Sequence, residues 1–217
     1  MGNLFAVLFS PAASFEKLKE KGGWTIPAVV LSIISLITVW LELPLIQELA
    51  NKALEQKKVD PQLQHITQTV TTYTGYVGAL FGLAASFFIG GLLLYLVNMF
   101  IRGEAKYMQL VKVSMYAGFP GIIGSLISAI LIRATHPTDI KDVMISAGAF
   151  LSQKNGFLFN VLNLFNPFSI WGLVLMIVGT SVMARKPRSS AAVWIIAGWI
   201  IIGLIGASLG GLANTGA

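Results

Sequence analysis

The chain has 217 residues, of which 55% are hydrophobic and only 11% are charged, and its mean hydropathy is +0.77. A soluble domain carries about 25% charged residues, so this chain lacks the polar side chains that would cover a water-facing surface, and an ordinary soluble domain is excluded. The net charge of +6 does not indicate a nucleic-acid binder, because the cations stand in short groups at the ends of apolar runs, and the absence of cysteine excludes disulfides and thiolate chemistry.

Residues 1–23 predict a short interfacial helix on the cytoplasmic side. Ser10-Pro11 is typical of a helix start, Phe15 and Leu18 fall on one side, and the nearby lysines can extend to lipid headgroups. Those lysines follow the first apolar residues, whereas a signal peptide carries its charges first. We therefore expect the first span to be retained.

Five apolar stretches are long enough to cross about 30 Å of hydrocarbon as helices, which takes roughly 20 residues. They are 22–41, 76–101, 113–132, 165–184 and 191–212. The last two are separated by a short turn at 185–188 that holds three cations and a proline. The sequence thus predicts an all-α membrane protein, with a single five-helix membrane domain at 24–212 and a short outer tail at 213–217.

The connections between the spans alternate in charge. One face has nine basic and three acidic residues: Lys17, Lys19, Lys21, Arg102, Lys106, Lys112, Arg185, Lys186 and Arg188, with Glu16, Glu20 and Glu104. The other face has six of each: Lys52, Lys57, Lys58, Arg133, Lys141 and Lys154, with Glu42, Glu48, Glu55, Asp60, Asp139 and Asp142. Because basic connections stay in the cytoplasm, we expect the N-terminus to be cytoplasmic and the C-terminus to lie outside.

The outer connections at 44–73 and 134–160 show helical spacing of apolar residues. In 44–56 these residues fall on one side, and Asp60-Pro61 is typical of a helix start. A helix continuous from Pro61 to Ile101 would be about 60 Å long. A further amphipathic helix is expected after Thr138. We predict amphipathic helices that cap the outer face, with helices lying flat on the lipid surface as the alternative.

Small residues recur every four positions in three of the spans, as close helix packing in lipid requires. The stripes are Gly78, Gly82, Ser86 and Gly90 in the second span, Ala117, Gly121, Ser125 and Ala129 in the third, and Gly203, Ala207 and Gly211 in the fifth. They predict that the second and third spans pack together, and Pro120 is expected to kink the third. The alternative, a substrate path lined by small residues, is less favoured.

No ionisable residue lies in the centre of a predicted span, so transport through a buried carboxylate is disfavoured. The chain has no P-loop, no HExxH and no dinucleotide-binding motif. His65 and His136 fall on the outer side near acidic residues, where a divalent-cation site is conceivable. Because no HxxxH or DxD spacing supports metal binding, we interpret them as solvated loop residues. Asn160, Asn163 and Asn166 precede the fourth span, where their amides bond across helices or satisfy the backbone at the helix start.

Three short motifs stand in order along the chain: Phe9-Ser10-Pro11, then Met115-Tyr116-Ala117-Gly118-Phe119-Pro120, then Asn166-Pro167-Phe168-Ser169-Ile170-Trp171-Gly172. Together with Phe15 and Gly179 they resemble the Yip family of Ypt- or Rab-interacting membrane proteins, in its short prokaryotic form. The positions that carry this resemblance are Pro11, Tyr116, Pro120, Asn166, Pro167, Phe168, Trp171, Gly172 and Gly179.

The resemblance implies five spans, a cytoplasmic N-terminus and an outer C-terminus. For eukaryotic members it also implies small-GTPase partners and a role in vesicle traffic. We do not carry that role over, because only about twenty residues precede the first span here, where the eukaryotic relatives have a long cytoplasmic region. No enzymatic activity follows from the resemblance.

We expect a non-enzymatic protein of the cell membrane, without cofactor or bound metal, that acts through helix packing and protein or lipid contacts. Its expected partners are the lipid bilayer and either another membrane protein or further copies of itself, with a role in membrane organisation or trafficking. The alternative is a transporter or channel for a small solute or metal ion. That alternative requires a water-accessible cavity between the helices.

Overall fold

The computed structural model describes residues 4–21, 23–56 and 60–213. Within these residues the chain is helical and contains no β-strand. The helices are α1 Ala6–Phe9, α2 Pro11–Lys21, α3 Thr25–Gln56, α4 Pro61–Phe100, α5 Tyr107–Thr135, α6 Gly156–Asn163, α7 Pro167–Ala184 and α8 Arg188–Ala213. Of the predicted tail, 214–217 lie outside the described residues. The all-helical prediction is confirmed.

Five of these helices are long and apolar enough to cross a membrane, as the sequence predicts. They are α3, α4, α5, α7 and α8. In lipid each backbone group needs a partner within its own segment, and a continuous helix of this length provides one. The chain is therefore an all-helical protein with five candidate membrane spans.

Helix α5 lies at the centre of the bundle. It packs against α3, α4 and α7, while α8 packs against α7 and α6. Large side chains of α5, among them Leu110, Tyr116 and Phe119, are almost fully buried. The outer helices instead expose many large apolar side chains, such as Phe81 on α4 and Ile201 on α8. This distribution is the one expected when hydrocarbon is the solvent around the bundle.

Helices α3 and α4 extend together beyond the apolar part of the chain. Helix α3 continues through Pro44 to Gln56, so the 44–56 segment is its C-terminal part and not a separate helix. Helix α4 begins at Pro61, where the sequence predicts a helix start, and runs unbroken to Phe100. The Gln47 amide donates to Thr72 Oγ1 at 2.9 Å, which joins the two extensions.

The segment after α5 differs from its expectation. Where one amphipathic helix was expected, two short 3-10 helices form, at Ile140–Val143 and Ala147–Phe150, followed by α6. The Asp139 carboxylate accepts a hydrogen bond from the Lys141 backbone N–H at 2.9 Å and caps the first. Residues 144 and 146 have extended backbones, so no helical ladder continues between the two. The extended backbone at these two residues therefore divides the segment where a single helix was expected.

Candidate functional site

The N-terminal helix is part of the bundle. Phe15 and Leu18 on α2 are 0% and 1% exposed, because α2 packs against α7. The Phe15 ring lies over Gly179, where an added Cβ would be 2.8 Å from Phe15 Cζ and 2.7 Å from Val113 Cγ1. Only glycine leaves room for this contact. The same two apolar residues that predicted an interfacial helix therefore face protein.

A lysine of α2 donates a hydrogen bond to the C-terminal end of α7. Lys19 Nζ donates to the Val182 carbonyl oxygen at 2.8 Å. The last carbonyls of a helix lack intrahelical partners and carry partial negative charge, so a cation there is stabilising. Arg185 then takes a left-handed backbone with φ of 54° and ends α7. Of the lysines expected to extend to lipid headgroups, Lys19 instead bonds to the protein.

The loop between α4 and α5 is held by one buried amide. Asn98 is 4% exposed, its Nδ2 donates to the Ala105 carbonyl and its Oδ1 accepts from the Ala105 N–H, both at 3.2 Å. The Glu104 N–H donates to the Ala184 carbonyl at 3.2 Å, and Arg185 pairs with Glu104 at 3.2 Å. Asn98 was not among the residues predicted to have a role, although an amide near the end of an apolar span is a signal for one.

We call the surface formed by α2, residues 101–106 and residues 184–188 the basic face. The hydrogen bonds above join all three segments to one another through the end of α7. Most of the cations of the more basic side of the chain lie here. The face is therefore a single assembled surface and not a set of separate loops.

Most of the residues that carry the family resemblance lie at helix contacts. Tyr116 and Pro120 are buried on α5, and an added Cβ at Gly172 would come within 2.8 Å of the Ala117 carbonyl oxygen. Pro11 is the first residue of α2, and Trp171 is 40% exposed. The motif residues on α5 and α7 therefore form a packing interface.

The third motif also begins a helix. Asn166 caps α7, where its Oδ1 accepts from the Phe168 N–H at 2.9 Å, and Pro167 is the first helical residue. The Phe168 ring lies against Gly124 on α5, where a Cβ would be 2.6 Å from it. This motif thus sets both the start of α7 and its contact with α5.

The structure divides the predicted stripe on α4. A Cβ at Gly90 would overlap the Ser114 hydroxyl of α5, so this residue lies at the contact. A Cβ at Gly78 or Gly82 would meet nothing within 4 Å, and Ser86 is exposed. A Cβ added at the neighbouring Gly91 would lie 2.8 Å from the Val111 Cα. Gly91 was not among the predicted packing positions.

The stripes on α5 and α8 are divided as well. On α5, Ala117 and Ala129 are buried, whereas Gly121 has open space beside it and Ser125 is exposed. On α8, Leu164 packs against Gly203, and Ala207 is buried. The surroundings of Gly211 lie outside the described residues. The structure thus brings together part of each stripe.

The three asparagines before α7 have both of the uses considered for them. Asn160 Nδ2 donates to the Ala207 carbonyl of α8 at 3.2 Å, and Asn163 Oδ1 accepts from the Ser146 hydroxyl at 2.5 Å. Asn166 caps α7, as described above. These bonds hold α6 and the preceding segment against α8, and they leave these amides engaged in structure.

The face opposite the basic face holds a small cavity of about 180 Å³. Glu48, Arg133 and His136 are among its lining residues. His136 ends α5 with a left-handed backbone, φ 47°. Among the described residues no group of three His, Asp or Glu side chains is placed to hold a metal ion.

These features define a polytopic α-helical membrane protein whose N-terminal helix and loops close one end of the bundle. The chain belongs to the Yip1 family, since the Yip1 domain matches residues 5–210, and the family prediction is confirmed. It is similar to membrane protein YknW of Bacillus subtilis (strain 168), with 27% identity over 178 residues, which are 82% of this chain and 76% of the relative. No solved structure matches the chain.

Proposed function

We propose that this protein is non-enzymatic and acts by contact, binding other membrane proteins or lipids through its helices and its basic face. The main support for this proposal is that the motif residues lie at contacts between helices. Tyr116, Gly172 and Gly179 support packing that joins α2, α5 and α7. Catalytic residues would instead converge on a polar pocket. The motif residues therefore build the packed interior that holds α2 and the basic face in place.

The basic face suits such a role because it is already assembled. A surface whose loops are fixed before binding loses less conformational entropy when a partner arrives. Lys19 and Asn98 fix two of its segments through hydrogen bonds to backbone. Its cations favour acidic partners and anionic headgroups, and by the positive-inside rule the face is cytoplasmic. The proposed setting is the cell membrane, in membrane organisation or trafficking.

The helices offer a second contact. The open side of α4 carries Gly78, Gly82 and Ser86, and small residues let the backbone of another helix approach closely. This side is the proposed contact for a membrane-protein partner or a second copy of the chain.

Site-specific photo-crosslinking in native membranes tests the proposal. A photoreactive amino acid replaces Lys17 on the basic face, Gly82 on the open side of α4 or, as a control, Gln153 on the opposite face. We expect discrete protein or lipid adducts from the first two positions and not from the third. Equal adducts from all three positions would contradict the proposal, as would turnover of a substrate by the purified protein in liposomes.

The alternative, a transporter or channel, requires a hydrated path between helices. The chain contains no cysteine, so single cysteines can be introduced without background. Cysteines along 78–90 that react with polar maleimides in intact membranes would support this alternative. The cavity between α4 and α8 is lined by apolar residues, which favours contact over transport.

A further inference from the structure

A cavity of about 520 Å³ lies between α4 and α8, with α7 beneath it. It extends along α4 from Gly90 to Phe100 and along α8 from Trp194 to Gly203. At 1.5 Å per residue the α4 side is about 15 Å long, half of a hydrocarbon core about 30 Å thick. The two helices are antiparallel, so Phe100 and Trp194 mark the end nearer the basic face. The cavity thus has the length of one leaflet.

The lining of this cavity selects for hydrocarbon. Its residues are aliphatic, aromatic, methionine or glycine, with no hydroxyl, amide, carboxylate or cationic side chain among them. Apart from the indole N–H groups of Trp194 and Trp199, the lining side chains offer a polar solute no replacement for the hydrogen bonds that it would lose to water. The volume lies within the range of about 300–1,000 Å³ that is usual for small-molecule sites.

The length of the cavity favours an acyl chain as its occupant. A chain that enters one leaflet from the membrane surface crosses about half of the hydrocarbon core, as the cavity does. A helix of a second copy is the other apolar occupant, and the experiments below distinguish the two.

Cations stand at the end of the cavity nearer the basic face. The rings of Phe100 and Trp194 stack there, with centroids 4.7 Å apart. Arg102 follows Phe100 by two residues, and Arg188 precedes Trp194 by six, which places it about 9 Å nearer the basic face. Both arginines are exposed. A group bound beside them would be anionic, and guanidinium groups match phosphate well.

We infer that the α4–α8 cavity binds one acyl chain of an anionic phospholipid, with its phosphate beside Arg102 and Arg188. The chain occupies one leaflet, and the headgroup lies at the membrane surface next to the basic face. This site goes beyond the partner contacts proposed above, and it does not depend on them.

The first test maps the acyl chain. Purified protein is placed in liposomes with phosphatidylglycerol that carries a photoreactive diazirine midway along one chain, and adducts are located by mass spectrometry. We expect them to concentrate on the cavity-lining residues of α4 and α8. Gly198 lines the cavity and an added Cβ there meets nothing within 4 Å, so Gly198→Phe fills it and removes these adducts. Gly206→Phe, on the same helix and equally open, retains them.

The second test concerns the headgroup. The double variant Arg102→Gln with Arg188→Gln lowers labelling by the phosphatidylglycerol probe about fivefold for each arginine. Arg133→Gln, the same change at an exposed arginine at the opposite end of the bundle, leaves labelling unchanged. Adducts spread evenly over α3, α4 and α8 would overturn the inference. Equal labelling by the matching phosphatidylcholine probe would do the same, as would a disulfide between Leu93→Cys of one chain and Ile201→Cys of another.

Discussion

The Asn98 side chain and the Ala105 backbone exchange two hydrogen bonds, each 3.2 Å long, across the loop between α4 and α5. Both residues are buried. The Gly103 N–H also donates to the Asn98 carbonyl at 2.7 Å, and a Cβ at Gly103 would overlap the Asn98 amide. The Asn98 side chain thus supplies hydrogen bonds to the loop, where the backbone hydrogen bonds of α4 have ended.

Replacement of Asn98 should lower stability. Asn98→Ala leaves the N–H and carbonyl of Ala105 buried without partners, at a cost of about 1–3 kcal/mol. Thermal unfolding in detergent micelles measures this cost. Asn155→Ala is the matched control, because Asn155 is exposed and makes no side-chain capping bond. Equal midpoints for the two variants would show that the amide does not hold the loop.

Enlarging Gly179 should release the N-terminal helix. In Gly179→Leu the new side chain meets Val113 and Phe15, and such overpacking costs about 1–3 kcal/mol. We expect faster trypsin cleavage after Lys17 and Lys19, because α2 leaves α7. Gly206→Leu, which enters open space, should keep the wild-type rate. A rate unchanged in Gly179→Leu would mean that α2 is not seated on α7 in the membrane.

The ion pair after α5 should depend on pH. Lys154 Nζ bonds to Asp142 Oδ1 at 2.6 Å, and this bond holds the pKa of the Asp142 carboxyl below its usual value of 3.8. A lowered folded-state pKa means that the pair stabilises the fold above pH 3.8 and ceases to do so as the pH falls through the lowered pKa. Carboxyl ¹³C NMR titration of Asp142 measures this shift, and Lys154→Gln should return the pKa towards 3.8. If Lys154 did not cause the lowering, the pKa of Asp142 would be the same in the wild type and in Lys154→Gln.

The orientation of the chain is tested by cysteine labelling of intact cells. Ser189→Cys lies next to the basic face and Ser152→Cys on the opposite face, and both positions are exposed. With the basic face in the cytoplasm, a membrane-impermeant maleimide labels Ser152→Cys at once and Ser189→Cys only after the cells are opened. The reverse order would place the N-terminus outside.

The sequence predicted the helices of the membrane domain well, because long charge-free runs leave few alternatives in lipid. The start of α4 at Pro61 followed from the Asp60-Pro61 pair. The segment at 139–151 could not be predicted as well. There, the backbone is extended at Met144 and Ser146 and interrupts a spacing that is otherwise typical of a helix.

Helix contacts were harder to predict than helix positions. A membrane helix can be apolar on all sides, so hydrophobicity does not show which side faces protein. Four-residue spacing also drifts by about 40° per step around a helix of 3.6 residues per turn. Gly78 and Gly90 are therefore about 120° apart, and only Gly90 reaches α5. The contacts of Gly91 and Asn98 depend on how α4 is rotated about its own axis, which the sequence does not reveal.

The contact between α2 and α7 has a consequence for biosynthesis. Lys19 and its bonding partner Val182 are 163 residues apart. At roughly 5–20 residues per second, synthesis leaves the N-terminal helix without its final neighbour for on the order of ten seconds or more. During that time Phe15 and Leu18 need another apolar surface, and the lipid interface at the site of insertion provides one. Helix α2 is thus synthesised long before α7 and is among the last elements to reach its native place, and its amphipathic pattern serves both stages.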